Sequence, residues 1–232
     1  LGYVLATVSI MGMFKFYAVM TFLVPILAMA LPIFDTAFAI IRRLLKGQNP
    51  MTPDRGHLHH RLIDHGLRVG IIAQPKLDSP DDITRLGQPE LFWGVSAGWV
   101  DSMVANYTAT LKFRKDDDFT PGGINDRRPD RACIAYTNLI KKYHKGKPIV
   151  LGGGEATLRR ISHYDFWSDS LRRSVLFDAK ADIITYGMAE RSNLLLAQYM
   201  RDGRDWHSIK GICYASSECP EGYIQMPSYE RC

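Results

Sequence analysis

Residues 148–161, PIVLGGGEATLRRI, run from an apolar segment through three glycines into a helical pattern, and that order decides the fold. PIVL reads as a buried strand and EATLRRI as the helix that follows its glycine turn. The same order recurs on both sides. RVGIIAQ (68–74) reads as a buried strand, and SPDDITRLG (79–87) as a helix with Ser79 as N-cap and Pro80 at its first position. ELFWGVSAG (90–98) is a second strand. Residues 129–145 place Cys133, Tyr136, Leu139, Ile140 and Tyr143 at helical spacing, with a lysine-rich outer face. ADIITYG (181–187) then leads into the helical MAERSNLLLAQYM (188–200). Strands alternating with helices predict an α/β fold with a doubly wound, mostly parallel sheet.

Ligands of such sheets bind beyond the carboxyl ends of the strands. Three turns fall there: Ser96-Ala97-Gly98, Gly152-Gly153-Gly154-Glu155 and Gly187-Met188-Ala189-Glu190. Glycine lets backbone approach a ligand closely and a following helix N-terminus favours an anion, but the same glycines also suit simple tight turns. Neither GxxxxGK[ST] nor a proper GxGxxG is present. Two polar stretches lie between these elements. KFRKDDDFTPGGINDRRPDR (112–131) reads as an ordered functional loop or as a solvated one. HYDFWSDSLRRSVLFDAKAD (163–182), which interleaves aromatics with His163, Asp165, Asp169, Arg172 and Arg173, reads as a charged surface helix with core aromatics.

The first part of the chain has a different character. Lys15 and Asp35 are the only charges in residues 1–41, and FYAVMTFLVPILAMALPIFDTAFAII (16–41) exceeds the roughly 20 residues needed to cross a bilayer. It is a transmembrane helix candidate with kinks at Pro25 and Pro32, and residues 1–14 read as the end of an earlier span. Membrane lipid is thus the expected partner of residues 1–45. Arg42, Arg43, Lys46, Arg55 and Arg61, opposed only by Asp54 and Asp64, mark the following loop as cytoplasmic. The α/β part then lies on the cytoplasmic side of the inner membrane, or simply in the cytoplasm if the apolar segment is foreign to it. Residues 1–67 hold six Lys/Arg against three Asp/Glu, which leaves twenty-three against twenty-one for residues 68–232. Neither part is basic enough to suggest nucleic acid.

PDRGHLHHRL (53–62) gathers three imidazoles and two guanidiniums. Such a cluster binds a phosphorylated substrate, lies against anionic lipid headgroups as a solvated basic loop, or holds zinc, although HxHH lacks the separated pairs of structural zinc sites. Cys133, Cys213, Cys219 and Cys232 form no CxxC pair, and a cytoplasmic location predicts no disulfides, with Cys133 packed as a small hydrophobe.

LPIFDTAFAIIRRLLKGQNPMTPDRGHLHHRL (31–62) resembles the C-terminal part of the polyprenyl-phosphate N-acetylhexosamine-1-phosphate transferases, the family of WecA and MraY, with the resemblance covering residues 1 to about 65. It implies that Asp54, Arg55, His57, His59 and His60 bind a nucleotide-sugar diphosphate, with polyprenyl phosphate as co-substrate and Mg2+ as cofactor of the whole enzyme. The family's magnesium-binding aspartates are expected upstream of Leu1. Asp35 alone does not replace them.

RVGIIAQP, VDSMVANYTA, DDDFTPGG, RRPDRACIAYTNLI, PIVLGGGEATLRRISHYDFWSDSLRRS, AKADIITYGMAER and PSYE resemble the N-terminal region of YgiQ-type (UPF0313) radical S-adenosylmethionine proteins. Trp99 and Cys133 depart from that family's pattern. The resemblance implies an accessory α/β domain, similar to cobalamin-binding domains, ahead of a barrel whose CxxxCxxC motif holds a [4Fe-4S] cluster that cleaves S-adenosylmethionine. No CxxxCxxC and no DxHxxG is present here, so the cluster cysteines are expected beyond Cys232 and no catalytic or metal-ligating residue is assigned. The family's first strand, before Arg68, is also missing, which predicts an exposed or substituted sheet edge. The combined expectation is a chimera joined at His65-Gly66-Leu67: transmembrane helices over 1–45, a histidine and arginine loop over 46–67, and a radical S-adenosylmethionine N-terminal domain over 68–232. Both catalytic centres then lie outside the chain. A membrane-bound undecaprenyl-phosphate GlcNAc-1-phosphate transferase fragment of cell-envelope glycan synthesis and a membrane-tethered, ligand-binding α/β module are the alternatives.

Overall fold

The computed structural model describes residues 41, 45, 58–98, 100–120, 122–219, 221–224 and 229. The chain divides into two compact units, Leu1–Arg55 and Gly56–Cys232, and the second holds all the elements described below. The expected span 16–41 lies outside the described residues except for Ile41, as do residues 1–14, Asp54, Arg55, His57 and Trp99. Among the described residues no helix is long and apolar enough to cross a membrane.

In chain order the elements are α1 (Leu58–Asp64), α2 (Asp81–Thr84), β1 (Trp93–Ser96), α3 (Ser102–Asn106), α4 (Ala132–Tyr143), β2 (Ile149–Gly152), α5 (Gly153–Leu158), β3 (His163–Asp165), β4 (Ser170–Arg172), α6 (Val175–Asp178), β5 (Ile183–Thr185), α7 (Glu190–Arg201) and β6 (Ile212–Tyr214). The main sheet has the order β1-β2-β5-β6, with β1, β2 and β5 parallel and β6 antiparallel to β5. The fold is therefore mixed α/β with a mostly parallel sheet.

Burial on both faces explains why β2 and β5 are continuous apolar runs and not alternating ones. Successive residues serve opposite faces: Ile149, Leu151 and Ile184 join Cys133, Leu139, Ile140, Val175 and Leu176 in one core, whereas Val150 and Ile183 pack with Leu196 and Ile209 in the other. Helices α4, α5 and α6 thus cover one side of the sheet and α7 the other. Helix α1 packs against α7, with Leu62 as its buried residue.

Three stretches differ from the sequence reading. Residues 68–74 are not a strand, although Ile72 packs on the core and Gly70 lies so close to Leu86 that a Cβ there would meet its side chain at 2.6 Å. A strand needs a neighbour for its N–H and C=O groups, and β1 pairs with β2 alone, so the apolar run covers the core without a ladder. The expected helix over 163–182 is instead the antiparallel hairpin β3–β4 followed by the short α6. Its period is two: Asp165 points inward between the exposed Tyr164 and Phe166, and Asp169 turns the chain with a φ of 47°. A buried aspartate in place of an apolar residue hides this alternation from a hydrophobicity reading. Strand β6, half-buried along its length, lies in a segment that had no strand assignment.

Candidate functional site

The carboxyl ends of β1, β2 and β5 bring together the three turns marked in the sequence. In the first, Ser96 Oγ accepts a hydrogen bond from the Gly98 N–H at 3.0 Å. Against it lies Gly153, at φ 82°, where a Cβ would sit 2.5 Å from the Gly98 carbonyl and closer still to Ser96 Oγ. The Gly154 N–H donates to that same carbonyl at 3.3 Å. The third turn joins through the Gly187 N–H, which donates to Thr157 Oγ1 of α5 at 3.3 Å. Gly152 faces Thr185, whose hydroxyl donates to the Leu151 carbonyl. These glycines therefore let neighbouring turns of the protein approach one another, with Gly153 packed against Ser96 and Gly98. Glu190 opens α7, half-buried, beyond the third turn.

Glu155, only 1% exposed, closes the crest from within. Its carboxylate accepts from the Ser102 N–H at 3.0 Å, the Ser102 hydroxyl at 2.5 Å and the Cys133 N–H at 3.0 Å. Ser102 Oγ in turn accepts from the Ala132 N–H at 3.0 Å. Helix α4 has no side-chain cap of its own, since Arg131 precedes it at φ 50°. Glu155 and Ser102 supply that cap from other elements, placing a carboxylate at the positive end of a helix.

Beside this cap runs a chain of ion pairs. Asp101 caps α3 through the Met103 N–H and also accepts from Arg159 Nε at 2.8 Å. Arg159 reaches Asp165 at 3.5 Å, and Asp165, 2% exposed, is paired as well with Arg131 at 2.5 Å and Arg172 at 3.8 Å. Burial alone would raise the Asp165 carboxyl, but the Ser168 hydroxyl and the three guanidiniums outweigh it and hold the group below the ordinary aspartate value. For Arg159 burial works in the opposite direction and is likewise outweighed, by Asp101, Glu155 and Asp165, so its pKa is raised. Burial, with Glu155 next, pushes the Cys133 thiol well up, and burial takes Tyr136 to about 12.

The described residues of 112–131 form a hydrogen-bonded loop. Asp117, 6% exposed, pairs with Arg128 at 2.7 Å and accepts from the Thr120 hydroxyl and the Phe119 N–H. Asn106 Nδ2 donates to the Arg128 carbonyl and to Asp130, which also accepts from the Tyr107 hydroxyl at 2.9 Å.

His59 and His60 lie on α1, half-buried, with ring centroids 4.1 Å apart. Among the described residues no group of three or more His, Cys, Asp or Glu could hold a metal ion. Cys133 is buried on α4, Cys213 sits on β6 and Cys219 is exposed, so these three do not form a cluster ligand set. The carboxylates at the crest are engaged as helix caps or ion pairs. That arrangement makes a rigid, closed platform and not a pair of groups poised for proton transfer. In the sequence Glu155 stands out only as part of a glycine turn, and Asp101, Ser102, Arg159 and Asp165 carry no motif that marks a functional role. A readable signal did exist at Asp101-Ser102, an aspartate N-cap before a short apolar helix.

Residues 56–232 match the family model described as radical SAM N-terminal. A UPF0313 protein of Fusobacterium nucleatum subsp. nucleatum is 58% identical over 173 residues, which is 74% of this chain and 30% of the relative. A UPF0313 protein of Thermotoga maritima is 56% identical over 174 residues, covering 74% of this chain and 31% of the relative. One from Pseudomonas aeruginosa is 45% identical over 193 residues, 82% of this chain and 24% of the relative. The chain thus spans less than a third of the length of these relatives. No solved structure matches it. The family match starts at Gly56, where the second compact unit also starts, ahead of the His65-Gly66-Leu67 seam expected from sequence. His57, His59 and His60 fall inside the match.

Replacing Glu155 with alanine strands three buried donors and should lower stability by about 3–5 kcal/mol in urea unfolding, with Glu155→Gln milder; a loss below about 1 kcal/mol would remove the carboxylate from its capping role. Acid unfolding tests Asp165. Its folded pKa lies below the unfolded value, so the stability it contributes is complete above about pH 4 and is lost as pH falls through the folded value. Asp165→Asn should lower stability at neutral pH and flatten this acid limb, and an unchanged limb would show that other carboxylates govern it.

Proposed function

This chain belongs to the radical SAM N-terminal family of the UPF0313 proteins, and from that premise we propose that Gly56–Cys232 is the rigid N-terminal scaffold of a radical S-adenosylmethionine iron-sulfur protein. Cluster and S-adenosylmethionine belong to polypeptide outside the matched stretch. The observation that supports a scaffold is the Glu155 cap, which fills the end of the sheet with the protein's own side chains and ties α3, α4 and α5 together. The described cysteines do not fit a [4Fe-4S] cluster. The scaffold works in the cytoplasm, where its thiols stay reduced.

A domain exchange tests this reading. The matched third of the Fusobacterium nucleatum relative is replaced by residues 56–232 of this chain, and 5'-deoxyadenosine formation is measured after anaerobic cluster reconstitution. The exchanged protein should keep activity within about tenfold of the parent, against complete loss on deleting the third. A cluster assembled by the 232-residue chain alone, or a folded but inactive exchange protein, would overturn the reading.

For residues 1 to about 65 we propose a separate origin as a membrane segment of a cell-envelope sugar-phosphate transferase, supported by the string LPIFDTAFAIIRRLLKGQNPMTPDRGHLHHRL and joined to the scaffold at His65-Gly66-Leu67. In this reading Asp54 and Arg55, with His57, His59 and His60, come from a nucleotide-sugar site whose aspartates are elsewhere. Sequencing of native transcripts across the codons for Arg55 to Gly70 should yield the two parts on different molecules; a single uninterrupted message carrying both would defeat the join.

A further inference from the structure

The hairpin β3–β4 has two unlike faces. Inward, Asp165 anchors it to Arg131, Arg159 and Arg172. Outward, Tyr164 and Leu171 stand opposite each other in the register and are 59% and 47% exposed. At the hairpin's turn a row of rings begins. Phe166 meets Trp167 edge-on at 5.4 Å, Trp167 meets Tyr107 at 5.3 Å, and Tyr107 meets Phe113 at 5.6 Å. The two ends of the row, Phe166 and Phe113, are more than half exposed. Single exposed apolar side chains are ordinary on a protein surface, but a linked row on a rigidly anchored hairpin marks a contact surface.

The chain itself points to the occupant. Tyr229, the last described residue, donates its hydroxyl to the Leu171 carbonyl at 2.8 Å, so at residue 229 the polypeptide runs beside β4. In the relatives the matched stretch accounts for less than a third of the length, and the family description places it on the N-terminal side. In the relatives the polypeptide beyond the matched stretch thus follows a position that, here at Tyr229, is held to the hairpin carrying the exposed rings. Arg173, with its guanidinium 5.8 Å from the Phe177 ring, adds the aromatic and arginine composition of energetically dominant contacts to the same neighbourhood.

We propose that the row Phe113–Tyr107–Trp167–Phe166, continued by Tyr164 and Leu171, is the surface on which the remainder of a UPF0313 protein docks. This rests on the scaffold reading above and adds which face of the scaffold is used. The probe is the Fusobacterium nucleatum relative lacking its matched third, titrated with the 232-residue chain. The wild-type chain should bind it, and Phe113→Ser with Phe166→Ser should weaken binding by about 30-fold or more, whereas Met188→Ser, at an exposed apolar residue outside the row, should not. Both altered phenylalanines are exposed, and unchanged thermal unfolding checks that the fold is intact. Hydroxyl-radical footprinting of the wild-type chain reads the same face without mutation: oxidation of Phe113, Trp167 and Phe166 should fall by about threefold or more on adding the probe, as expected for side chains removed from solvent. Binding that survives the double substitution, without ring protection, overturns the surface and leaves the scaffold reading standing. No binding by the wild-type chain overturns both. Self-association of the chain in sedimentation that is lost in the double variant would assign the row to a second copy and overturn the proposal.

Discussion

The Glu155 carboxylate is the constraint on which the rest of the second unit depends. It lies at the start of α5, immediately after the central strand β2, yet its acceptors serve α3 and α4, which come earlier in the chain. A buried carboxylate is tolerated only when hydrogen bonds replace its water shell, and three donors here do so. The consequence is geometric. Helix α4 begins where Glu155 allows it, and the turn after β2 must stay glycine at position 153 because Ser96 and Gly98 press against it. One side chain thereby sets the relative position of three elements around the end of the sheet.

The ion pairs extend the same logic outward. Asp101 caps α3 and holds Arg159, Arg159 reaches Asp165, and Asp165 draws in Arg131 and Arg172. Isolated buried pairs add little net stability, because desolvation offsets attraction. A connected set does something else: it fixes one arrangement of the hairpin β3–β4, since displacing the hairpin would take the buried Asp165 away from Arg131 and Arg159 together. Arg131 occupies a left-handed backbone conformation where it begins α4, and its guanidinium is held by Asp165. Rigidity of this kind suits a scaffold that must present a defined surface to another part of a larger protein.

Much of this was legible from residues alone. Apolar runs at 149–152 and 183–185 require burial on two faces, and the spacing of Cys133, Leu139 and Ile140 requires a helix packed along one side. The position of the glycine turns was readable too, because glycine followed by a helical pattern marks a strand's carboxyl end. Their use was not. A glycine that admits a ligand and a glycine that admits a neighbouring backbone look the same in one dimension. The hairpin at 163–172 was misread for a related reason: its inward residue is charged, and only the three arginines converging from positions 131, 159 and 172 make that burial intelligible. Residues 68–74 show the reverse case, where strand-forming composition finds no ladder partner.

The sequence by itself determined the class of fold, the family and the change of character between the apolar first part and the α/β remainder, because hydrophobic periodicity and near-identical strings are properties of the chain as written. Tertiary structure decided what the polar residues do. Glu155 and Asp101 draw their roles from partners 22 to 58 residues away and Asp165 is anchored to Arg131, 34 residues away, and no local pattern encodes a carboxylate's partner across such distances.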